Sequence, residues 1–187
     1  MTKTQQEDHA RKLLESFGVD SSSEHFHDTP RRFVAYLQEY FQPFDPLKVL
    51  GPKFSANGSN TMVVQSHIPT SGICPHHLLP YLGHTSIGYV PKDTIIGLSK
   101  MSRLVKAVTH ELPDIQETAC NRIAEILDDY IRPVGVIVVM RCIHTCMAGR
   151  GVAHQDVPTS TSALRGCFLH VPQAREEFFS LVSVDRM

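Results

Sequence analysis

The sequence predicts an α+β fold, and three observations carry that prediction. Two segments with helical spacing of apolar residues open the chain, and a stretch rich in proline and glycine follows them. Beyond residue 60, short β-branched runs and two further helical segments follow in the order ββααββ. Two hairpins with a helix pair between them are an α+β arrangement. Residues 1–60 read as an N-terminal helical extension with its connector, and 61–187 as the main domain.

Taken in order, Ala10, Leu13, Leu14 and Phe17 share one face of a helix over 5–18, with Gly18 as its stop. A polar loop, Asp20-Ser21-Ser22-Ser23-Glu24, leads to a second helix opening at Asp28-Thr29-Pro30, with Thr29 as N-cap and Pro30 at the first helical position. Phe33, Leu37, Tyr40 and Phe41 line one side of it. Pro43, Pro46, Gly51, Pro52 and Gly58 mark the connector. Met62–Ile68 and His84–Val90 are short, β-branched and apolar, hence strands. Helices are expected from Ser99 to Val108 and from Asp114 to Ile131, the second burying Ile115, Ala119, Ile123, Ile126, Leu127 and Tyr130. Pro133 lies just past its end. Val134–Met147 is the clearest strand, and Ser160–Val171 the last.

The chain has 187 residues, 42% hydrophobic and 20% charged, which excludes a disordered or fibrous polypeptide. A formal net charge of -1 gives no basic excess for nucleic acid or an anionic membrane surface. No apolar run approaches the roughly 18 residues that a membrane span needs. The first residues lack the apolar stretch of a signal peptide. Five cysteines (Cys74, Cys120, Cys142, Cys146, Cys167) are an odd number, which favours reduced thiols in the cytoplasm over a disulfide framework. Eleven histidines, several beside cysteines, point to a metal site.

Cys74-Pro75-His76-His77 has a spacing that can close around one ion from a tight turn, the alternative being a core cysteine beside two unrelated histidines. In His144-Thr145-Cys146, alternation along a strand puts His144 and Cys146 on one face, shared with Met140 and Cys142 and therefore also readable as core. Together the two segments offer Cys74, His77 and Cys146, a thiolate and imidazole set suited to zinc with a fourth position open. A closed structural site would instead add Cys142 or His76. Lys100 and Arg103 follow Gly97-Leu98-Ser99 at a helix start, where cations oppose the dipole unless an anion binds. Arg150, flanked by Gly149 and Gly151, could join them. Singly each is a solvated surface charge; as a group they suggest an anionic substrate. Asp114 and Glu117 fit a capping box, and Glu117 could alternatively accept hydrogen bonds from a guanidine-like ring edge.

The set Cys74-x-His76-His77, Gly97-Leu98-Ser99-Lys100, Gln116-Glu117, His144-x-Cys146, Arg150-Gly151 and the Thr/Ser run 159–162 resembles type I GTP cyclohydrolases, in order and approximate spacing, over about residues 28–180. The resemblance implies a tunnelling fold, whose subunits join sheets side by side into a β-barrel and assemble as a decamer of two pentameric rings. It implies hydrolysis of GTP to formate and 7,8-dihydroneopterin triphosphate. Carried over by position, Cys74, His77 and Cys146 would bind Zn2+, and His76 and His144 would transfer protons. Glu117, with Gln116 and the backbone at Leu98 and Ser99, would hold the guanine; Lys100, Arg103, Arg150 and Arg32 would hold the triphosphate. Zinc lowers the pKa of bound water toward about 7, and histidine titrates near pH 6.5, so the residue types suit hydrolytic ring opening. The chain departs from the family's usual pattern at Pro75, at Thr118 and at Ala35, the last two in place of cations. A paralogue acting on another guanine nucleotide, or stopping at a ring-opened formamide, is the alternative that these departures motivate. A non-catalytic zinc-stabilised oligomer is a further one.

Overall fold

Thr2 starts the first helix by a reciprocal capping box: its hydroxyl accepts from the Gln5 N–H, and the Gln5 side chain accepts from the Thr2 N–H. Helix α1 then runs Lys3–Ser16, and Gly18 follows with φ of 82°. Helix α2 covers Thr29–Glu39 with Pro30 in its first turn. Its N-cap position is Asp28, not Thr29, and the Asp28 carboxylate faces Arg31 and Arg32 at 3.2 and 3.4 Å instead of capping. In this computed structural model, which describes residues 1–184, α1 and α2 form one compact unit, Met1–Gln42, around buried Ala10 and Val34.

A second unit begins at Pro43. The connector read from the sequence is largely structured and belongs to this unit. Asp45 caps a short helix α3, Pro46–Leu50, by accepting from the Leu47 N–H at 2.9 Å. Strand β1, Lys53–Ser55, pairs with β4, Thr94–Ile96. Leu50 is wholly buried, the Tyr130 hydroxyl donates to the Gly51 carbonyl and Lys53 Nζ donates to the Tyr130 carbonyl at 2.7 Å, so apolar packing and long-range hydrogen bonds hold the segment down.

The main sheet is four-stranded and antiparallel, in the order β2 (Val63–Cys74), β3 (Leu79–Val90), β5 (Gly135–His144) and β6 (Thr159–Gly166). Helices α4 (Ser99–Glu111) and α5 (Gln116–Ile131) lie between β4 and β5 in sequence and cover one face. The ββααββ order is therefore present. Tyr81, Ile87 and Tyr89 of the sheet pack there with Leu104, Ile123 and Leu127 of the helices, the strands alternating inward and outward. The first hairpin is longer than the sequence suggested. Gly72 sits inside β2, paired with Tyr81, and the Tyr81 ring occupies the space that any larger side chain at 72 would need.

The opposite face differs from expectation. The last strand stops at Gly166, whose φ is 56°, and the chain turns through α7 (Cys167–His170) into α8 (Pro172–Val184). Phe168 and Phe178 are fully buried with Ile137, and Phe178 lies over Gly88, which has no side chain to obstruct it. All five cysteines are free thiols. Among the described residues no helix is long and apolar enough to cross a membrane.

Candidate active site

Strand β5 ends at His144, and Thr145–Ala148 forms a single helical turn, α6. Alternation along a strand is thus not what places Cys146. The turn does, pinned where the Thr145 hydroxyl donates to the Pro80 carbonyl at 2.6 Å. Cys74 is the last residue of β2, and the hairpin turn after it closes through the Leu78 N–H to the Cys74 carbonyl at 3.0 Å, with Leu78 at φ 54°. These ends converge. One ligand atom from each of Cys74, His144 and Cys146 lies within 4.8 Å of the others, with Cys74 buried and the other two half-buried.

His144 is held from behind by Gln116. The wholly buried Gln116 amide donates from Nε2 to the carbonyls of Met140 and Thr159, both at 3.1 Å, and contacts the Thr161 hydroxyl at 3.0 Å. Those acceptors fix which end of the amide is nitrogen, leaving Oε1 to face the His144 Nε2 at 2.9 Å. His144 therefore donates from Nε2, and Nδ1 is left with the lone pair. The imidazole lies 5.2 Å from the Tyr81 ring, centroid to centroid. Burial lowers the pKa of His144, opposed by the nearby Glu117 carboxylate, which favours the neutral ring.

The other two histidines lie on the exposed turn. His76 Nδ1 is 3.6 Å from the Cys74 sulfur, whereas His77 Nε2 accepts from Arg150 Nη1 at 2.7 Å. The folded chain therefore brings together Cys74 and Cys146 of the sequence-derived metal set, adds His144, and turns His77 toward Arg150. Two thiols and one imidazole are a donor set suited to zinc.

A profile of the family GTP cyclohydrolase I matches residues 6–183. The chain belongs to the GTP cyclohydrolase I family. It is 38% identical to GTP cyclohydrolase 1 of Campylobacter concisus (strain 13826), covering 96% of this chain and 95% of that one. It is 36% identical to GTP cyclohydrolase 1 of Wolinella succinogenes, over 94% and 95% of the two chains. The enzyme of that name from Sulfurihydrogenibium sp. (strain YO3AOP1) is 39% identical, over 92% and 91%. Among solved structures, the apo crystal structure of the archaeosine synthase QueF-Like overlays 58% of this chain and 96% of its own at a TM-score of 0.45 and 14% identity.

The residues that family resemblance assigns to the nucleotide fall in three places. Glu117 is exposed in the first turn of α5. The capping box expected there is absent: Ile115 holds the N-cap position, and Asp114 accepts only from the Ile115 N–H at 2.8 Å. Ser99, Lys100 and Arg103 occupy the first turns of α4; Leu98, not Ser99, is at its N-cap, and no side chain caps it. Leu98 is 64% exposed, and Arg103 is exposed while Lys100 reaches under Gly51, its Nζ 2.8 Å from where a Cβ there would stand. Arg32 belongs to the other compact unit, exposed beside Asp28. Sequence reasoning did not find Gln116 as the partner of His144. A glutamine at a helix start carries no local signal of the side it faces.

Proposed function

We propose that the chain opens the imidazole ring of the guanine of GTP by zinc-dependent hydrolysis, giving formate and 7,8-dihydroneopterin triphosphate. The match to the GTP cyclohydrolase I family over residues 6–183 carries this reading. The cluster of Cys74, His144 and Cys146 supports it. Cys74 and Cys146 would hold the zinc, with His77, three residues past Cys74, as the imidazole ligand. A zinc ion there would make hydroxide available near pH 7 by lowering the pKa of a water.

The protein's own residues do the rest. His144 takes up or delivers a proton at Nδ1 while Gln116 keeps its Nε2–H directed away from the substrate. His76, beside Cys74, is the second proton carrier. The Glu117 carboxylate accepts guanine N–H groups, and the backbone at Leu98 and Ser99 also holds the base. Gln116 contributes to guanine binding through His144, because its own amide faces the sheet. Lys100, Arg103, Arg150 and Arg32 meet the triphosphate. His77 Nε2 accepts from Arg150 here, so His77 would hold zinc through that nitrogen only with this hydrogen bond given up.

A second reading of the metal site rests on the observed cluster. His144 would be the third ligand, and its hydrogen bond to Gln116 is the kind that orients a metal-bound imidazole.

The assembly proposed is a homo-oligomer in the cytoplasm, a decamer of two pentameric rings with each sheet continued into the next subunit as a barrel. Strands β2 and β6 are the two ends of the sheet, and an open edge is what such joining uses. Mass spectrometry of the products from zinc-loaded protein and GTP tests the activity. Dihydroneopterin triphosphate with formate is the expected result. Intact GTP beside fully bound zinc would sink the assignment of substrate. Light scattering on the same sample tests the assembly, a monomeric mass counting against it.

A further inference from the structure

The sheet face away from α4 and α5 carries a second polar site. Thr85 and Met140 point into the core, so their neighbours His84, Ser86, Val139 and Arg141 face the opposite side. There they line a groove of about 850 Å³ with His67, the serines of β6, and Phe179 and Val182 of α8. This volume is that of a small-molecule site.

Its charge distribution is one-sided. Register places His84 directly opposite Arg141, and Ser160 of β6 opposite Arg141 on its other flank. His67 reaches the same spot through a β-bulge between Gln65 and Ile68. It takes φ of 53°, its N–H donates to the Ser86 hydroxyl at 3.2 Å, and its ring lies 6.1 Å from that of His84. A non-glycine residue in that conformation is strained, and folded proteins retain such strain where a side chain must be aimed. None of the groove's described lining residues is acidic, and Arg141 makes no ion pair with any described residue. A guanidinium, two imidazoles and a row of hydroxyls, with no carboxylate among the described lining residues, match an oxyanion with several acceptor oxygens. Val139, Phe179 and Val182 offer an apolar wall beside it.

We propose that this groove is a second ligand site, separate from the thiol cluster, which binds the phosphate group of a small phosphorylated molecule through Arg141, His84 and His67.

Isothermal titration with inorganic pyrophosphate tests it, using the intact protein carrying Lys100→Gln, Arg103→Gln, Arg150→Gln and Arg32→Gln so that the cations assigned to the triphosphate do not contribute. Pyrophosphate is expected to bind this protein. Adding Arg141→Gln should weaken binding by about tenfold or more, as for loss of a charged hydrogen bond, and His84→Asn should weaken it by a smaller factor. The substituted arginines and His84 are exposed and Lys100 is half-buried, so none of the changes opens the core. Absence of binding in the starting variant, or unchanged affinity after both Arg141→Gln and His84→Asn, would overturn the proposal.

Discussion

The Gln116 amide and the His144 imidazole are joined at 2.9 Å, Oε1 to Nε2, where the start of α5 meets the end of β5. The same amide bridges β5 and β6 through Met140 and Thr159. One buried side chain therefore ties the sheet together and sets the tautomer of the site histidine.

Replacing Gln116 should affect stability and turnover together. Gln116→Ala leaves buried acceptors unpaired and frees the imidazole, so about 1–3 kcal/mol of stability should be lost. The kcat for GTP should fall by about 10- to 100-fold, with KM moving less. Urea denaturation and steady-state kinetics on the same preparation measure both. An unchanged kcat would remove Gln116 from the positioning of His144.

Zinc content separates the two readings of the metal site. Cys146→Ser should lose metal and activity together, since a thiolate donor is gone. His77→Ala should lose zinc while His144→Ala retains it and loses turnover. Plasma emission analysis of the purified variants reads this directly, and the reverse pattern would assign His144 to the metal.

Gly72→Ala probes the packing behind the site. The added Cβ would land on the Tyr81 ring, which is 1% exposed and has no route to solvent. The cost should be about 1–3 kcal/mol, as for other overpacked positions. Because Tyr81 is the register partner of His144, turnover should also fall. A wild-type melting temperature would show that Tyr81 can yield.

Alkaline pH should destabilise the fold through two buried thiols. Burial raises the pKa of Cys120, against hydrogen bonding from Thr161, and pushes Cys142 up to about 12. Both groups hold their protons longer in the folded chain than in the unfolded one. Their contribution is thus complete below the ordinary thiol pKa and is lost as pH rises from about 9 toward 12. Urea midpoints between pH 8 and 10.5 should fall, and Cys120→Ala should make that decline shallower. A decline of equal slope in the variant would exclude Cys120 as a cause.

What was legible locally was the periodicity. Ile123 and Leu127 at helical spacing and the β-branched runs before Val90 and after Gly135 mark the ββααββ order, because one face of each element must be apolar. What was not legible were features set by a single backbone angle or a distant neighbour. Gly166 at φ 56° ends β6 where apolar residues continue, and α8 follows. Thr29 and Asp114 both read as helix caps, yet Asp28 takes the first N-cap position while facing arginines, and Asp114 turns back on Ile115.

The same division runs through the site. By itself the sequence determined the residue types, two thiols and several imidazoles in short segments, and hence the class of chemistry, because donor softness belongs to the side chain. Only the tertiary structure decided which of them meet. The register of β2, β3 and β5 brings the end of one hairpin to the end of another strand, and the one-turn helix after His144 swings Cys146 in beside Cys74. Distances between residues so far apart in the chain depend on strand pairing and packing, which no local pattern encodes.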